Sequence, residues 1–233
     1  QNPPLGGPNV VNPINGFAGI DSGHSFCGCS PPDSNGAVGP NAFLDHANTS
    51  IALYNKNTGA LLPGTSIISD NQFYASILKP GDSFSDPVSV YDQFTQTFET
   101  GILEFTSTFS GNMFLDVATS KTSNPTTLTT ADWTFKQYNV NDGVGGFDFA
   151  DYPKLGYSAD GLVVSFNMFP GGNFFDHTST LSIKNDGTSP GITVTPGGFS
   201  NFTLAPASMH TANPGDPMWF VEDGNDGSGG STV

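Results

Sequence analysis

Phe149–Asn167 reads FADYPKLGYSADGLVVSFN, and the fold turns on how this stretch is read. A polar opening (Asp151, Tyr152, Pro153) leads into a short apolar strand, a tight Asp160-Gly161 turn, and a second strand over Leu162–Phe166. Asp-Gly between two β-rich runs is a strong hairpin signal, because glycine takes the positive φ that the turn requires. Looser copies of this pattern recur along the chain, and no long run carries a helical period.

Moving outward, strands are expected at Ala42–Ala47, Ser50–Asn55, around Val88 and Val90, and from Phe98 to Phe105. Further strands are expected within 111–119, 179–184, 191–195 and 218–222, and Trp133–Tyr138 alternates aromatic and polar residues as an outer strand would. Residues 63–84 read as a loop with a short turn of structure near Gln72–Leu78. Residues 1–30, rich in Pro, Gly and Asn, read as an extended arm over the domain surface or a partly disordered terminus.

An Asp near a Pro precedes a short apolar strand at Asp33, Asp86, Asp151 and Asp216, about 53, 65 and 65 residues apart. Those periods sit near the ~40–50 residues of a four-stranded propeller blade, lengthened by loops. The expected fold is therefore all-β, a β-propeller of four-stranded blades over residues 31–233. A two-sheet sandwich is the rival. The last unit holds one clear strand, and three blades and a fraction do not close a ring. The expectation is an incomplete portion of a larger ring, with the remaining strands further along a longer chain or supplied by a second chain.

The net charge is −15, carried on only 12% charged residues. All basic residues are lysines (56, 79, 121, 136, 154 and 184), and arginine is absent. Phosphate and nucleic-acid recognition lean on arginine forks or basic patches, so nucleic-acid binding is excluded as an expectation. No apolar run is long enough to insert in a membrane as a helix. Low lysine, a Thr/Ser/Asn/Gly-rich surface and the pair Cys27-Gly-Cys29 point to a secreted, extracellular protein.

Pro31-Pro32-Asp33-Ser34-Asn35-Gly36-Ala37-Val38-Gly39, Asp86-Pro87-Val88 with Tyr91-Asp92, and Asp151-Tyr152-Pro153-Lys154-Leu155-Gly156 stand in order along the chain. Together they resemble a family of secreted bacterial proteins carrying PPDTNGAVG, DPVVxYD and DYPKLG segments, which are similar to sialidase-like β-propellers and mostly of unassigned function. The resemblance implies fold and secretion, and it implies no reaction. A sialidase would need an arginine cluster, which this chain lacks.

If each repeated aspartate opens the innermost strand of a blade, Asp33, Asp86, Asp151 and Asp216 ring one end of a channel. Clustered carboxylates repel unless a cation or protons intervene. Ca²⁺ is the candidate ion, since it takes six to eight oxygens from carboxylates and carbonyls. The alternative is that each aspartate caps its own turn. Two loops are separate calcium candidates or simple turns: Asn141-Asp142-Gly143 with Asp148 and Asp151, and Asp223-Gly224-Asn225-Asp226-Gly227. Neither has the downstream Glu of an EF-hand.

Cys27 and Cys29 read as a disulfide, as soft-metal ligands with His24 and His46, or as free thiols. No G-x-S-x-G elbow is present, and His177 and His210 read as surface histidines. Phe147, Phe149, Phe169, Phe174 and Phe175 pack between blades or stack on sugars. The expected function is a binding or structural module, calcium-stabilised, at the cell surface or in the matrix. Its partner would be an extracellular glycan, a protein or further copies of itself. The alternatives are a glycan-directed hydrolase with channel-face carboxylates and a subunit of an extracellular filament or complex.

Overall fold

The structure is a computed structural model that describes residues 16–106, 113–144, 148–172, 174–194, 202–222, 224–225 and 231–232. The described chain is all-β apart from one helical turn.

Sheet 1 runs β1 (Asn35–Val38), β2 (Ala42–Ala47), β3 (Ser50–Asn55) and β4 (Ile68–Ser69), followed by the turn α1 (Asp70–Phe73). Sheet 2 holds β5 (Asp82–Asp92), β6 (Thr97–Thr106), β7 (Phe114–Ser120) and β8 (Trp133–Asn139). Sheet 3 holds β9 (Asp148–Ser158), β10 (Gly161–Pro170), β11 (His177–Lys184) and β12 (Ile192–Val194). A fourth sheet pairs β13 (Leu204–Pro206) with β14 (Phe220–Glu222), and β15 (Gly224–Asn225) pairs with β16 (Ser231–Thr232). Every ladder between these strands is antiparallel. In the three four-stranded sheets the strands lie in chain order, as short connections between antiparallel neighbours dictate.

The hairpin at Phe149–Asn167 is present, with a small shift. Gly161 pairs with Ser158, so Ala159 and Asp160 form the two-residue turn and Gly161 opens β10. Its φ of +147 and the carbonyl oxygen of Ile183 beside it explain the glycine: a Cβ there would lie 2.1 Å from that oxygen.

The sheets pack face to face in sequence order. One core joins sheets 1 and 2 through Leu44, Ile51, Leu53, Phe98, Ile102 and Trp133. A second joins sheets 2 and 3 through Leu103, Leu115, Val117, Val164, Phe166 and Leu181. Alternate residues of β6 serve different cores, Phe98 and Ile102 one and Leu103 the other. This is the period-2 rule applied to a strand covered on both faces. The first strands also lie in series, β5 against β1 and β9, and β9 against β13.

The strands expected at Ala42–Ala47 and Ser50–Asn55 are found with those bounds, and Trp133–Asn139 is an outer strand of its sheet. One expectation is corrected. The last unit opens on β13, not on Asp216. Asp216 sits in the loop before β14, where its Oδ2 accepts from the Asn213 N–H at 2.7 Å. It therefore caps a turn and is not a fourth member of the aspartate series.

Candidate functional site

The first strands of sheets 2 and 3 carry matching bulges. In β5, Asp86 and Pro87 together face the single residue Ile102, and in β9, Tyr152 and Pro153 face Phe166. Such a bulge adds twist and re-aims side chains at the end of a strand. Each holds a non-glycine residue at positive φ: Asp86 at 57 and Tyr152 at 55. Asp33 (φ 45), just before β1, and Thr203 (φ 75), just before β13, repeat the feature. The repeated position is thus Asp33, Asp86, Tyr152 and Thr203, and Asp151 lies one residue ahead of it, level with Ser85. Sequence reading aligned the units by their aspartates and missed this offset, which the spacing to the following proline records: Asp86 directly precedes Pro87, and Asp151 precedes Pro153 by two.

Three of the four predicted aspartates nevertheless converge. A cleft of about 390 Å³ is lined by Asp33, Asn35, Asp86, Ser89, Tyr152 and Lys154 among others. Asp151 reaches Asp86 from the side. Burial first, and then its hydrogen bond with Asp151 and that residue's charge, raise the Asp86 carboxyl to about 6. Burial also raises Asp33, against the pull of a hydrogen bond from Asn48. Asn48 links the two: its Nδ2 donates to Asp33 Oδ2, and its Oδ1 accepts from the Asp86 N–H at 2.8 Å. Asn48 is buried with both amide atoms engaged. The Asp151 Oδ1 accepts from the Tyr152 N–H at 2.8 Å.

Lys154 supplies the countercharge. Burial pushes its ammonium down from the usual lysine value, while Asp86, Asp151 and Asp33 pull it up. The ammonium lies 3.2 Å from the centre of the Tyr152 ring, a cation–π contact. Beyond Tyr152 an aromatic group continues, with ring centres 6.1 Å apart for Tyr152–Phe202 and 5.2 Å for Phe202–Phe175. Phe169 closes the group, and Phe174 is exposed. Phe149 packs elsewhere, on Phe105, and Phe147 lies outside the described residues.

The other predicted sites resolve differently. Cys27 and Cys29 are joined as a disulfide. The soft-metal alternative is thereby corrected, because both thiolates are consumed and the two histidines stand apart. His24 pairs with Asp21 at the surface, and His46 is wholly buried with Asp70. Asp142 accepts from His177 Nε2 at 2.7 Å and from the Ser179 hydroxyl. His177 is buried between Asp142 and Asp176, and their hydrogen bonds raise its pKa against the opposing effect of burial. It is not the surface histidine expected. Asp148 starts β9, and Asp223 and Asp226 lie outside the described residues. Among the described residues, no group of three or more His, Cys, Asp and Glu stands ready to hold a metal ion.

Two buried carboxyl sites were not foreseen. Glu104 is raised to about 8 by burial and by its hydrogen bond with Asp116. Gln137 Nε2 donates to both, at 2.9 Å each. Glu99, raised to about 7 by burial, accepts from the hydroxyls of Thr97 and Thr119 in a crevice of about 110 Å³ between sheets 2 and 3. The sequence signal was available: Glu99 and Glu104 sit in one strand with Phe98, Ile102, Leu103 and Phe105.

Compared with protein-family models, curated proteins and solved structures, the chain matches none.

Proposed function

We propose that the sheets are consecutive blades of a secreted β-propeller, an arc of a larger ring, and that the chain acts as a glycan-binding module. The blade reading is supported by three chain-ordered four-stranded sheets whose first strands lie side by side. The observation that carries the binding reading is the convergence of Asp33, Asp86, Lys154 and Tyr152 on one cleft at the matching bulges, with Asp151 hydrogen-bonded to Asp86. Carboxylates and an ammonium accept from and donate to sugar hydroxyls, and an aromatic group extends from the rim as a surface for sugar faces.

Calcium belongs to the proposal as an ion that would discharge the three carboxylates, with Lys154 moving aside. A glycan array followed by calorimetry on its hits tests the main reading, with Asp86→Asn and Tyr152→Ala as variants. Loss of affinity in both is expected, and unchanged affinity would remove the cleft from the site. Thermal melts with and without chelator test the ion, and an unchanged melt would remove calcium.

A second reading, a glycan hydrolase, is favoured by one feature. The Asp86 carboxyl, raised to about 6 by burial and by Asp151, holds its proton in mildly acidic solution, as a general acid must. Turnover of an array hit, lost in Asp86→Asn, would separate it from simple binding.

A further inference from the structure

An unbroken line of hydrogen bonds runs from the interior of sheets 1 and 2 to the cleft wall. Asp70, at the start of α1, meets His46 of β2, its Oδ1 3.0 Å from Nε2. The other ring nitrogen of His46, Nδ1, lies 2.7 Å from Thr100 Oγ1 on β6. Thr100 Oγ1 lies 2.8 Å from Ser89 Oγ on β5, and Ser89 lines the cleft with Lys154. Asp70 and His46 are wholly buried, whereas Ser89 retains 7% exposure.

Donor and acceptor roles give this line a direction. A carboxylate only accepts, so the neutral imidazole carries its proton on Nε2 toward Asp70. Nδ1 is then an acceptor, and the Thr100 hydroxyl donates to it in preference to its longer contact with the Val88 carbonyl at 3.3 Å. With its one proton committed, Thr100 accepts from Ser89. Every proton in the line thus points from Ser89 toward His46. The second carboxylate oxygen of Asp70 is buried without a hydrogen-bond partner. His46 Nε2 is thus the hydrogen-bond partner of the Asp70 carboxyl. Asn35 Oδ1 holds the Ser89 N–H at 2.9 Å, and the Tyr74 hydroxyl donates to the Thr100 carbonyl at 3.1 Å, so both strands are fixed.

We propose that Ser89 is a nucleophile toward acyl esters, activated through Thr100 by the His46–Asp70 pair, and that its substrate is an O-acylated polyhydroxyl ligand of the cleft. The substrate class rests on the glycan-binding reading, and the activated serine does not. Ser89 Oγ attacks the ester carbonyl carbon. Its proton passes to Thr100 Oγ1 as the Thr100 proton passes to His46 Nδ1. The carbonyl carbon–alkoxy oxygen bond then breaks, and the alcohol leaves with a proton taken from water in the cleft, while His46 keeps the Ser89 proton. The hydroxide so formed attacks the acyl-serine, the carbonyl carbon–Oγ bond breaks to give the free acid, and Ser89 Oγ regains its proton from His46 through Thr100. Lys154 lines the same cleft as Ser89 and carries the charge that a developing oxyanion needs. Ser89 is the catalytic residue, and Thr100, His46 and Asp70 are positioning residues that move its proton.

A fluorophosphonate probe on the intact chain, with the adduct located by peptide mass spectrometry, tests this. An adduct on Ser89 is expected, formed at a rate that rises with pH to a plateau. Thr100→Val should slow labelling about 100-fold or more and abolish the inflection, within the range for a lost general base. Thr100→Ser should restore both. Wild-type protein that forms no Ser89 adduct would overturn the proposal, however the variants fold. So would Thr100→Val, folded by its melt, labelling as fast as wild type. A silent glycan array with Ser89 labelled would sink the glycan reading alone, and a positive array with Ser89 unlabelled would sink this one.

Discussion

Asn48 and Asn167 hold the same place in sheets 1 and 3, and each ties its own sheet to the positive-φ residue of the next. Asn167 pairs with Asp151, and the Asn48 N–H donates to the carbonyl of Pro32, the corresponding neighbour of Asp33. Asn48 Oδ1 accepts from the Asp86 N–H at 2.8 Å, and Asn167 Oδ1 accepts from the Thr203 N–H at 3.1 Å. Sheet 2 has Leu103 at this place, paired with Ser85. There the Tyr152 N–H turns to Asp151 instead, its own neighbour. The Asp151 carboxylate thus takes the place of the missing asparagine as acceptor for the Tyr152 N–H.

Asn48→Leu, which copies the sheet 2 arrangement without a replacement acceptor, should cost about 1–3 kcal/mol, the range for a buried amide left unpaired. Urea unfolding checks this as a lower midpoint with unchanged slope. An unmoved midpoint would mean that the bond between sheets contributes nothing.

Stability should fall as pH rises from mildly acidic to mildly alkaline. Glu104 (ordinary value 4.5, raised to about 8), Glu99 (4.5 to about 7) and Asp86 (3.8 to about 6) all bind their protons more tightly when folded. A raised carboxyl leaves stability intact below its unfolded pKa and removes it progressively up to the folded one. His177, raised from 6.5, acts in the same direction, because its contribution is lost as pH rises through the folded value. Asp21, Asp132 and Asp186 are lowered and oppose this only below their usual 3.8. Melts from pH 4 to 9 should therefore decline above about pH 4.5. Glu104→Gln should flatten the alkaline part of the curve, and a wild-type curve already flat there would show that Glu104 and Asp116 do not share a proton.

The Asp142 carboxylate should set the titration of His177. Proton NMR of the imidazole is expected to place wild-type His177 above the ordinary histidine value, and Asp142→Asn to move it down. Because Asp176 remains at 2.9 Å from the other nitrogen, some elevation should persist in the variant. An unchanged titration would mean that Asp142 is held by Ser179 alone.

The all-β class and the hairpin order were legible because alternation and turn residues are local signals. Ala42–Ala47 and Phe149–Asn167 carry both. β13 was not legible: three residues, Leu204–Pro206, are too few to show alternation, and one is a proline. The cleft aspartates were found through their repeated Asp/Pro context, yet Asp151 stands two residues before its proline and Asp86 one, so matching the units by aspartate put Asp151 out of register. The line Asp70–His46–Thr100–Ser89 gave no sequence signal at all. Its members lie on separate strands and on α1, so only the packing of sheet 1 against sheet 2 brings them together.

Gly161, which opens β10 directly after its turn, should be hard to replace. Its φ of +147 is closed to side chains, and a Cβ would lie 2.1 Å from the Ile183 oxygen, a backbone atom that cannot rotate away. Backbone strain and overlap together should cost Gly161→Ala about 3 kcal/mol or more. Gly172 provides the comparison, since its φ is +73 and nothing lies within 4 Å of the added carbon. Gly172→Ala should then show the conformational cost alone, about 1–2 kcal/mol. Urea unfolding of the pair reads the difference directly. Equal losses would mean that β10 shifts away from β11 to admit the methyl group, and that the close approach at Ile183 is not what requires the glycine.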